Sequence, residues 1–285
     1  MPEQENSGRF AAFSFVDRII EIDGLRRVTG RFTISTHVSN FPVSLVAEAI
    51  GQLAAWVAMS HVDFKFRPVA ALAGDTRIFK TPQPGDTLEL EVDIESCDEQ
   101  SIVYRGRARI NQKIVLELLD TLGSMLDIQE FDDPERLRAD FACLTSTGRT
   151  PGAFLGVPQP VVTPLSVDQG CEVELRVPEQ AAFFDDHFPS RPVFPATLLI
   201  DALLRVALPF TEKVVGCKLN AIRITHVKVR AFTAPGTTLV LFAQTPEAVI
   251  DEPNTWCVKV GARNAGKTIA GARLYFSSTT FESDL

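Results

Sequence analysis

The chain has 285 residues, of which 45% are hydrophobic and 22% charged, a composition that favours a globular protein of one large or two ordinary domains. Its net charge of −8 argues against nucleic acid as a general partner. Five cysteines, odd in number and far apart, favour neither a disulfide framework nor a metal site. The sequence has no signal-peptide pattern and no apolar run of membrane-spanning length, so we expect a cytoplasmic protein without a membrane span.

The first half of the chain predicts a strand, a buried helix and further strands, in that order. A strand is predicted over 26–35 and a helix over 42–60, where Pro42 suits the first helical turn. The helix sequence "LVAEAIGQLAAWVAM" is apolar on almost every face, so we expect the helix to be buried. Apolar and polar residues alternate in the segments that follow, which predicts strands over 86–97, 101–110 and 113–126.

The second half follows the same plan after a connecting segment. In that segment "QEFDDPERLRADF" predicts a short polar helix, and "TSTGRTPG" is typical of a linker. A strand is then predicted over 171–178, and a buried helix that starts with proline over 195–208. The alternating pattern predicts further strands over 221–232, 237–244, 255–263 and 268–276.

Stretches of the first half recur in the second half. The clearest match joins "FPVSLVAEAIGQL" (41–53) to "FPATLLIDALLRV" (194–206), and it aligns Glu48 with Asp201. Two further matches, among the strands that follow, keep the same order at similar offsets. We therefore interpret the chain as a tandem duplication of one structural unit.

The predicted fold class is α+β, because each unit combines one long buried helix with an antiparallel sheet that can wrap around it. We place the first unit at 9–130, a linker at 131–158 and the second unit at 159–279. Two such units in one chain suggest a pseudo-dimer whose sheets are joined.

Each predicted core helix carries one carboxylate, Glu48 in the first and Asp201 in the second, six residues after its starting proline. A carboxylate in an apolar helix is costly unless it is paired or functional. Free N–H groups at the same helix end could bind an oxygen that gains negative charge. A satisfied polar residue of the core is the alternative, although its presence in both halves favours function.

Among the four histidines, His187 has the most suggestive setting. It lies in "DDHFPSRPVFP" (185–195), a loop stiffened by three prolines, and a rigid loop suits a positioned catalytic group. A surface histidine beside two acidic residues is the alternative interpretation.

The stretch "FFDDHFPSRPVFPATLLIDA" (183–202) resembles the signature FFxGHFPGxPVMPGxLxxE/DA of the β-hydroxyacyl-acyl-carrier-protein dehydratases of fatty-acid synthesis, including the spacing of fourteen residues from His187 to Asp201. "FPVSLVAEAIGQLAAW" and "RPVAALAGDTRIFKTPQPGDTLELEV" in the first half resemble the same family. The resemblance covers most of the chain outside 130–158. It implies a double hot-dog fold, a helix lying in a curled sheet in each unit, and no metal or organic cofactor.

In this family each site takes a histidine from one unit and an acid from the other. The first half lacks the "FFxGHFPGxPV" loop, and His37 cannot be aligned with the family histidine. The resemblance therefore implies one complete site that pairs His187 with Glu48. Asp201 would face an inactive second site, where it either persists as a buried acid or helps to bind substrate.

The implied reaction is loss of water from a 3-hydroxyacyl thioester of an acyl carrier protein or coenzyme A. His187 would take the proton next to the thioester carbonyl, and Glu48 would protonate the leaving hydroxyl. The N–H groups of Val43 or Ser44 would hold the thioester oxygen, and Gln52 would hold the Glu48 carboxyl. The substrate-binding set is Val43, Ser44, Gln52, Phe188, Pro195, Ala196 and Asp201.

Other functions remain open at this point. An acyl thioesterase, a non-catalytic acyl-binding protein and a dehydratase that also moves the double bond would fit the same resemblance. The six basic residues from Arg205 to Arg230 are either a solvated strand face or a docking surface for an acidic carrier protein. The pseudo-dimer could also pair with a second copy.

Overall fold

The computed structural model describes residues 12–165 and 170–278, so positions 9–11, 166–169 and 279 of the predicted units lie outside the described part. Its α-helices are α1 (Val43–His61), α2 (Pro134–Thr145) and α3 (Ala196–Val215). The strands of the first half are β1 (Arg18–Asp23), β2 (Arg27–Thr33), β3 (Phe66–Ile78), β4 (Thr87–Cys97), β5 (Ser101–Ile110) and β6 (Lys113–Asp127). Those of the second half are β7 (Val161–Leu165), β8 (Cys171–Arg176), β9 (Asn220–Val229), β10 (Thr238–Ala243), β11 (Glu247–Ala248), β12 (Thr255–Asn264) and β13 (Lys267–Ser277).

All these strands form one antiparallel sheet. Its order is β1-β2-β4-β5-β6-β3-β9-β13-β12-β10-β8-β7, and β11 pairs only with β12. Read inward from either edge, the strands of the two halves follow in corresponding order and meet where β3 pairs with β9, with Ala73 opposite Val227. The predicted α+β class and the joined sheets are confirmed, whereas the unit boundaries stay a prediction.

Helix α1 is the apolar core of the first half. Leu45, Ile50 and Leu53 are fully buried, and burying each such side chain contributes about 1.5–3 kcal/mol. The helix is long and apolar enough to meet the criteria for a membrane span, contrary to our expectation, but 61% of that window is buried inside the protein. Packing against the sheet therefore accounts for its composition.

Helix α3 is longer than predicted, because it continues through Pro209 instead of ending at 208. A proline inside a helix removes one backbone hydrogen bond. Thr211, in the turn that follows, is fully buried and donates its hydroxyl hydrogen to the Ala207 carbonyl at 2.6 Å. The helix ends at Gly216, which adopts the left-handed conformation (φ 82°) that glycine tolerates best. Core packing on both sides of Pro209 thus overrides the local signal to stop.

The segment predicted as a linker packs into the first half. Phe141 of the predicted polar helix, here α2, stacks on Trp56 at 6.4 Å between ring centroids. Phe154 is buried and lies 5.1 Å from Phe15 and 5.8 Å from Phe41. These contacts anchor the connection to the core rather than leave it as a free tether.

The basic segment between Arg205 and Arg230 is less positive than its sequence suggests. Arg205, Lys218 and Arg223 pair with Asp201, Glu212 and Asp75, respectively. The Arg223–Asp75 pair is bidentate, at 2.7 and 2.9 Å, and it links β9 to β3 at the junction of the two halves. Half of the predicted docking surface is therefore neutralised within the protein.

The close approach of α1 to β5 gives a test of this packing. A Cβ added at Gly106 would clash with Ile50 Cγ2 and lie 2.9 Å from the Glu91 carbonyl oxygen. We expect Gly106→Ala to lower the free energy of unfolding by ~1–3 kcal/mol, the usual cost of overpacking. Gly271→Ala on β13 is the matched control, since its Cβ would meet only the Val260 carbonyl oxygen at 3.5 Å. Urea denaturation of both variants measures the difference, and equal stabilities would contradict the described packing.

Candidate active site

The loop before α3 holds His187 in one orientation. The His187 N–H donates to the Phe183 carbonyl at 2.9 Å, and the Val193 N–H donates to the His187 carbonyl at 3.1 Å. In the ring, Nδ1 lies 2.9 Å from the Val193 carbonyl oxygen. A carbonyl oxygen only accepts, so Nδ1 carries the hydrogen and Nε2 of the neutral ring keeps its lone pair. The loop therefore leaves Nε2 as the ring nitrogen that can accept a hydrogen bond or a proton.

Aromatic rings and one cation surround this imidazole. Phe13 meets it edge to face at 5.4 Å, and Phe188 stacks on it at 4.0 Å between ring centroids. The Arg67 guanidinium lies 3.9 Å from the Phe188 centroid. Two groups so close to one ring occupy opposite faces, so Phe188 lies between His187 and Arg67. Arg67 comes from β3, in the other half of the chain.

Glu48 is held by neutral donors from both core helices. Its Oε1 accepts from Gln52 Nε2 at 3.0 Å, and its Oε2 accepts from Thr197 Oγ1 at 2.8 Å. Gln52 is fixed in turn, because its Oε1 accepts from the Phe15 N–H at 2.8 Å and its Nε2 also donates to the Phe13 carbonyl at 3.0 Å. The carboxyl is thus oriented without a cation bonded to it.

The local charges act on His187 in opposite directions. Burial is the largest effect and lowers the pKa of His187 below 6.5. The Glu48 carboxylate and the Val193 carbonyl oppose burial, and the Arg67 cation reinforces it. Burial also lowers the pKa of Arg67 to about 10, so the guanidinium stays charged at neutral pH. The neutral, basic form of His187 is therefore favoured at pH 7.

His187 and Glu48 line the same cavity, of about 250 Å³. Residues of α1, α3, β3, β5, β6 and β9 form its walls, so both halves of the chain contribute. The first residues of both core helices line it as well, and neither helix start has a side-chain cap. Their first N–H groups can therefore serve a ligand.

Most residues predicted for the site line this cavity, namely His187, Glu48, Val43, Ser44, Gln52, Phe188 and Ala196. Pro195 and Asp201 do not. Pro195 is buried directly before α3. Asp201 accepts a hydrogen bond from Arg205 Nε at 3.0 Å, and Arg205 also donates to Gln159 at 2.9 Å. Burial raises the pKa of Asp201, and Arg205 partly offsets that effect.

Comparison with known proteins identifies the family of this chain. The family model of the ApeI-like dehydratases matches residues 165–254. The 3-hydroxyacyl-[acyl-carrier-protein] dehydratase FabZ of Geobacillus thermodenitrificans is 34% identical over 125 residues, which cover 39% of this chain and 86% of that protein. The chain belongs to this dehydratase family. The resemblance stated from the sequence is thereby confirmed.

Solved structures show that the fold extends over both halves of this dehydratase-family chain. A protein from Lactobacillus plantarum described as an oleoyl thioesterase has a TM-score of 0.61 and 10% identity, covering 90% of this chain and 98% of its own. The dehydratase domain of PpsC from Mycobacterium tuberculosis, in complex with C12:1-CoA, has a TM-score of 0.50 and 14% identity, covering 92% and 97%. At such low identity these likenesses show the fold alone, and they confirm the double hot-dog architecture.

Sequence reasoning missed several groups of the site. Thr197 was part of the matched helix but had no assigned role, and Arg67 lies in a strand that periodicity did not predict. Asp132 and Arg136 come from the predicted linker, and Asp132 lies 3.8 Å from Arg67 and accepts from Arg136. An Arg-Pro pair inside the apolar stretch "FKFRPVAALAG" was the one visible signal for Arg67. Among the described residues there is no group of three His, Cys, Asp or Glu that could hold a metal ion.

The charge arrangement predicts how His187 titrates. Removing the cation in Arg67→Met should raise the pKa of His187, because the imidazolium then loses a repulsive neighbour. Two-dimensional NMR of labelled histidine measures that pKa, with the other three histidines as internal references. Arg191→Met is the matched control, since Arg191 stacks near Phe131 in the same region but is exposed and paired with Glu130. An unchanged or lower pKa in Arg67→Met would contradict the assignment.

Proposed function

We propose that the protein removes water from a 3-hydroxyacyl thioester, giving the trans-2-enoyl thioester, in fatty-acid or polyketide-type synthesis. The observation that carries the proposal is one cavity that joins His187, with Nε2 free, to Glu48 from the other half of the chain. Membership of the dehydratase family supports the same reaction. The thioester would be carried by an acyl carrier protein or by coenzyme A.

His187 is proposed as the base. The hydrogen on C2, next to the thioester carbonyl, is weakly acidic and needs a positioned acceptor. Its proton would move to Nε2, and the electron pair of the C2–H bond would move toward the carbonyl oxygen. The bond from Nδ1–H to the Val193 carbonyl fixes the tautomer and stabilises the imidazolium that forms.

The start of α1 is proposed to bind the thioester oxygen. The N–H groups of Val43 and Ser44 belong to an uncapped helix end that lines the cavity. One such donor, aimed at an oxygen that gains charge, typically contributes ~3 kcal/mol to catalysis. Ala196 and Thr197 begin α3 in the same way and line the same cavity. The N–H groups of this second helix end are proposed to add hydrogen-bond donors to the site.

Glu48 is proposed as the acid. As the electron pair from C2 forms the C2=C3 double bond, the C3–O bond breaks, and the leaving hydroxyl takes a proton from the Glu48 carboxyl to become water. Each carboxyl oxygen has a second lone-pair position beyond its bond to Gln52 or Thr197. The cycle closes when the proton on His187 returns to Glu48, so no proton is gained or lost by the protein.

The second helix carboxylate is proposed to be inactive. Gln52 stands four residues after Glu48, and Arg205 stands four residues after Asp201. The neutral amide orients the Glu48 carboxyl, which lines the cavity, whereas Arg205 pairs with the Asp201 carboxyl, which does not line it. One site per chain follows from this difference.

The assignment predicts how three variants behave. We expect His187→Ala and Glu48→Gln to lower turnover of 3-hydroxybutyryl and 3-hydroxydecanoyl thioesters by about 10²–10⁴-fold, the usual contribution of a general acid or base. Asp201→Asn should stay close to the wild type, because Asp201 does not line the cavity. Mass spectrometry of the water loss measures turnover, and thermal unfolding checks that each variant is folded.

Two outcomes would redirect the interpretation. Release of free thiol from an acyl thioester, without the enoyl product, would indicate a thioesterase in which Glu48 activates water. Binding of the thioester without any turnover by the wild type would indicate an acyl-binding protein. Equal loss in all three variants would contradict the assignment of a single composite site.

A further inference from the structure

The floor of the cavity is a row of residues that lie directly opposite one another across four strands. Tyr104 on β5 pairs with Thr121 on β6, and Thr121 pairs with Ala73 on β3. Ala73 in turn pairs with Val227 on β9, in the second half of the chain. All four line the cavity, so the row crosses the junction of the two halves beneath the space that an acyl chain would occupy.

Two hydroxyls in this row lack hydrogen-bond partners in the part of the chain that the structure describes. Tyr104 is 4% exposed and Thr121 is 2% exposed. Thr121 Oγ1 is fully buried and without a bond, and the Tyr104 hydroxyl makes none with a described residue. A buried hydroxyl without a partner costs about 1–3 kcal/mol, and phenylalanine or valine would fill the same space without that cost. Thr121 Oγ1 has no surface open to the cavity, whereas the Tyr104 hydroxyl keeps some, so Tyr104 points to a ligand that bonds it.

The backbone of α1 leaves room for the phenol. A Cβ at Gly51 would lie 3.2 Å from the Tyr104 hydroxyl oxygen, tighter than most real contacts, so glycine keeps this approach open. Gly51 follows Glu48 by three residues, which places it ~4.5 Å farther along the helix axis. Burial also raises the pKa of Tyr104 well above its usual value, so the phenol stays protonated and can donate.

The surrounding wall is otherwise apolar. It is formed largely by Leu72, Ile102, Leu116, Leu118, Leu199 and Ile224. Such a wall suits a hydrocarbon chain, and the Tyr104 hydroxyl within it singles out one position along that chain.

We propose that the Tyr104 hydroxyl forms a subsite for an oxygen substituent, a keto or hydroxyl oxygen, on the acyl chain a few carbons beyond C3. The substrate would then be a 3-hydroxyacyl thioester with a second oxygen function, rather than a plain saturated chain. This inference rests on the proposed function, because it uses the same cavity and places the reacting carbons at His187 and Glu48.

The test compares matched substrates. The probes are 3-hydroxyoctanoyl pantetheine and its 6-oxo and 7-oxo analogues, assayed for kcat/KM of water loss. We expect the wild type to prefer one oxo analogue by about tenfold or more, the gain from one buried hydrogen bond. That ratio should fall towards one in Tyr104→Phe and in the double variant with Thr121→Val, and it should persist in Thr121→Val alone, because Thr121 Oγ1 is closed to the cavity. Tyr275→Phe is the matched control, since Tyr275 is the only other tyrosine of the chain and does not line the cavity.

Failure of the subsite and failure of the proposed function give different results in this assay. Equal turnover of all three probes by the wild type, or a preference that survives in the double variant, would overturn the subsite while leaving the dehydratase activity intact. If the wild type dehydrates none of them, the proposed function fails. Calorimetric binding of the same probes then decides the subsite: tighter binding of an oxo analogue that is lost in the double variant supports it, and equal binding overturns it.

Discussion

The pairing of β3 with β9 is the contact on which the rest of the structure depends. It joins two sheets into one, so that a single sheet covers both apolar helices and brings α1 and α3 into contact. A bidentate ion pair between Arg223 on β9 and Asp75 on β3 adds a side-chain link between the two strands. Because the helices touch, a hydroxyl on α3 can reach a carboxyl on α1, as Thr197 does with Glu48. The composite site is thus a consequence of sheet pairing.

Burial and two opposite charges set the protonation state of His187. An imidazole in an apolar, enclosed loop resists protonation, and a nearby carboxylate alone would weaken that resistance. Arg67 opposes the effect of that carboxylate on the pKa of His187. It lies on the other side of Phe188 and acts through its electric field, not through a hydrogen bond to His187. Asp132, shared with Arg136, in turn stabilises the Arg67 cation. The segment between the two units therefore contributes to the electrostatics of the site.

Local sequence signals predicted what local forces decide, which includes both core helices and most strands. The pairing of His187 with Glu48 was implied by the family resemblance, and both residues line one cavity. Local signals could not predict what distant packing decides. Helix α3 passes Pro209 because its flanks are buried, which no local rule foresees. Arg67 and Thr197 join the site through partners far away in the sequence, Phe188 and Glu48. Their roles appear only once the sheets are joined.

The interpretation of the chain as a tandem duplication gives a frame for the differences between its two halves. A pair of identical units would build two sites, each with a histidine loop and a helix carboxylate. Here the first half lacks the loop, so the carboxylate of the second half has lost the partner that the family pattern would give it. Asp201 is then tolerated only if its buried charge is balanced, and Arg205 supplies that balance one helical turn away. The matching position of α1 holds Gln52 instead of a cation. Gln52 donates a hydrogen bond to the Glu48 carboxyl and orients it without forming an ion pair. One residue four positions along each helix thus separates a carboxyl that is paired with a cation from one that is held by neutral donors.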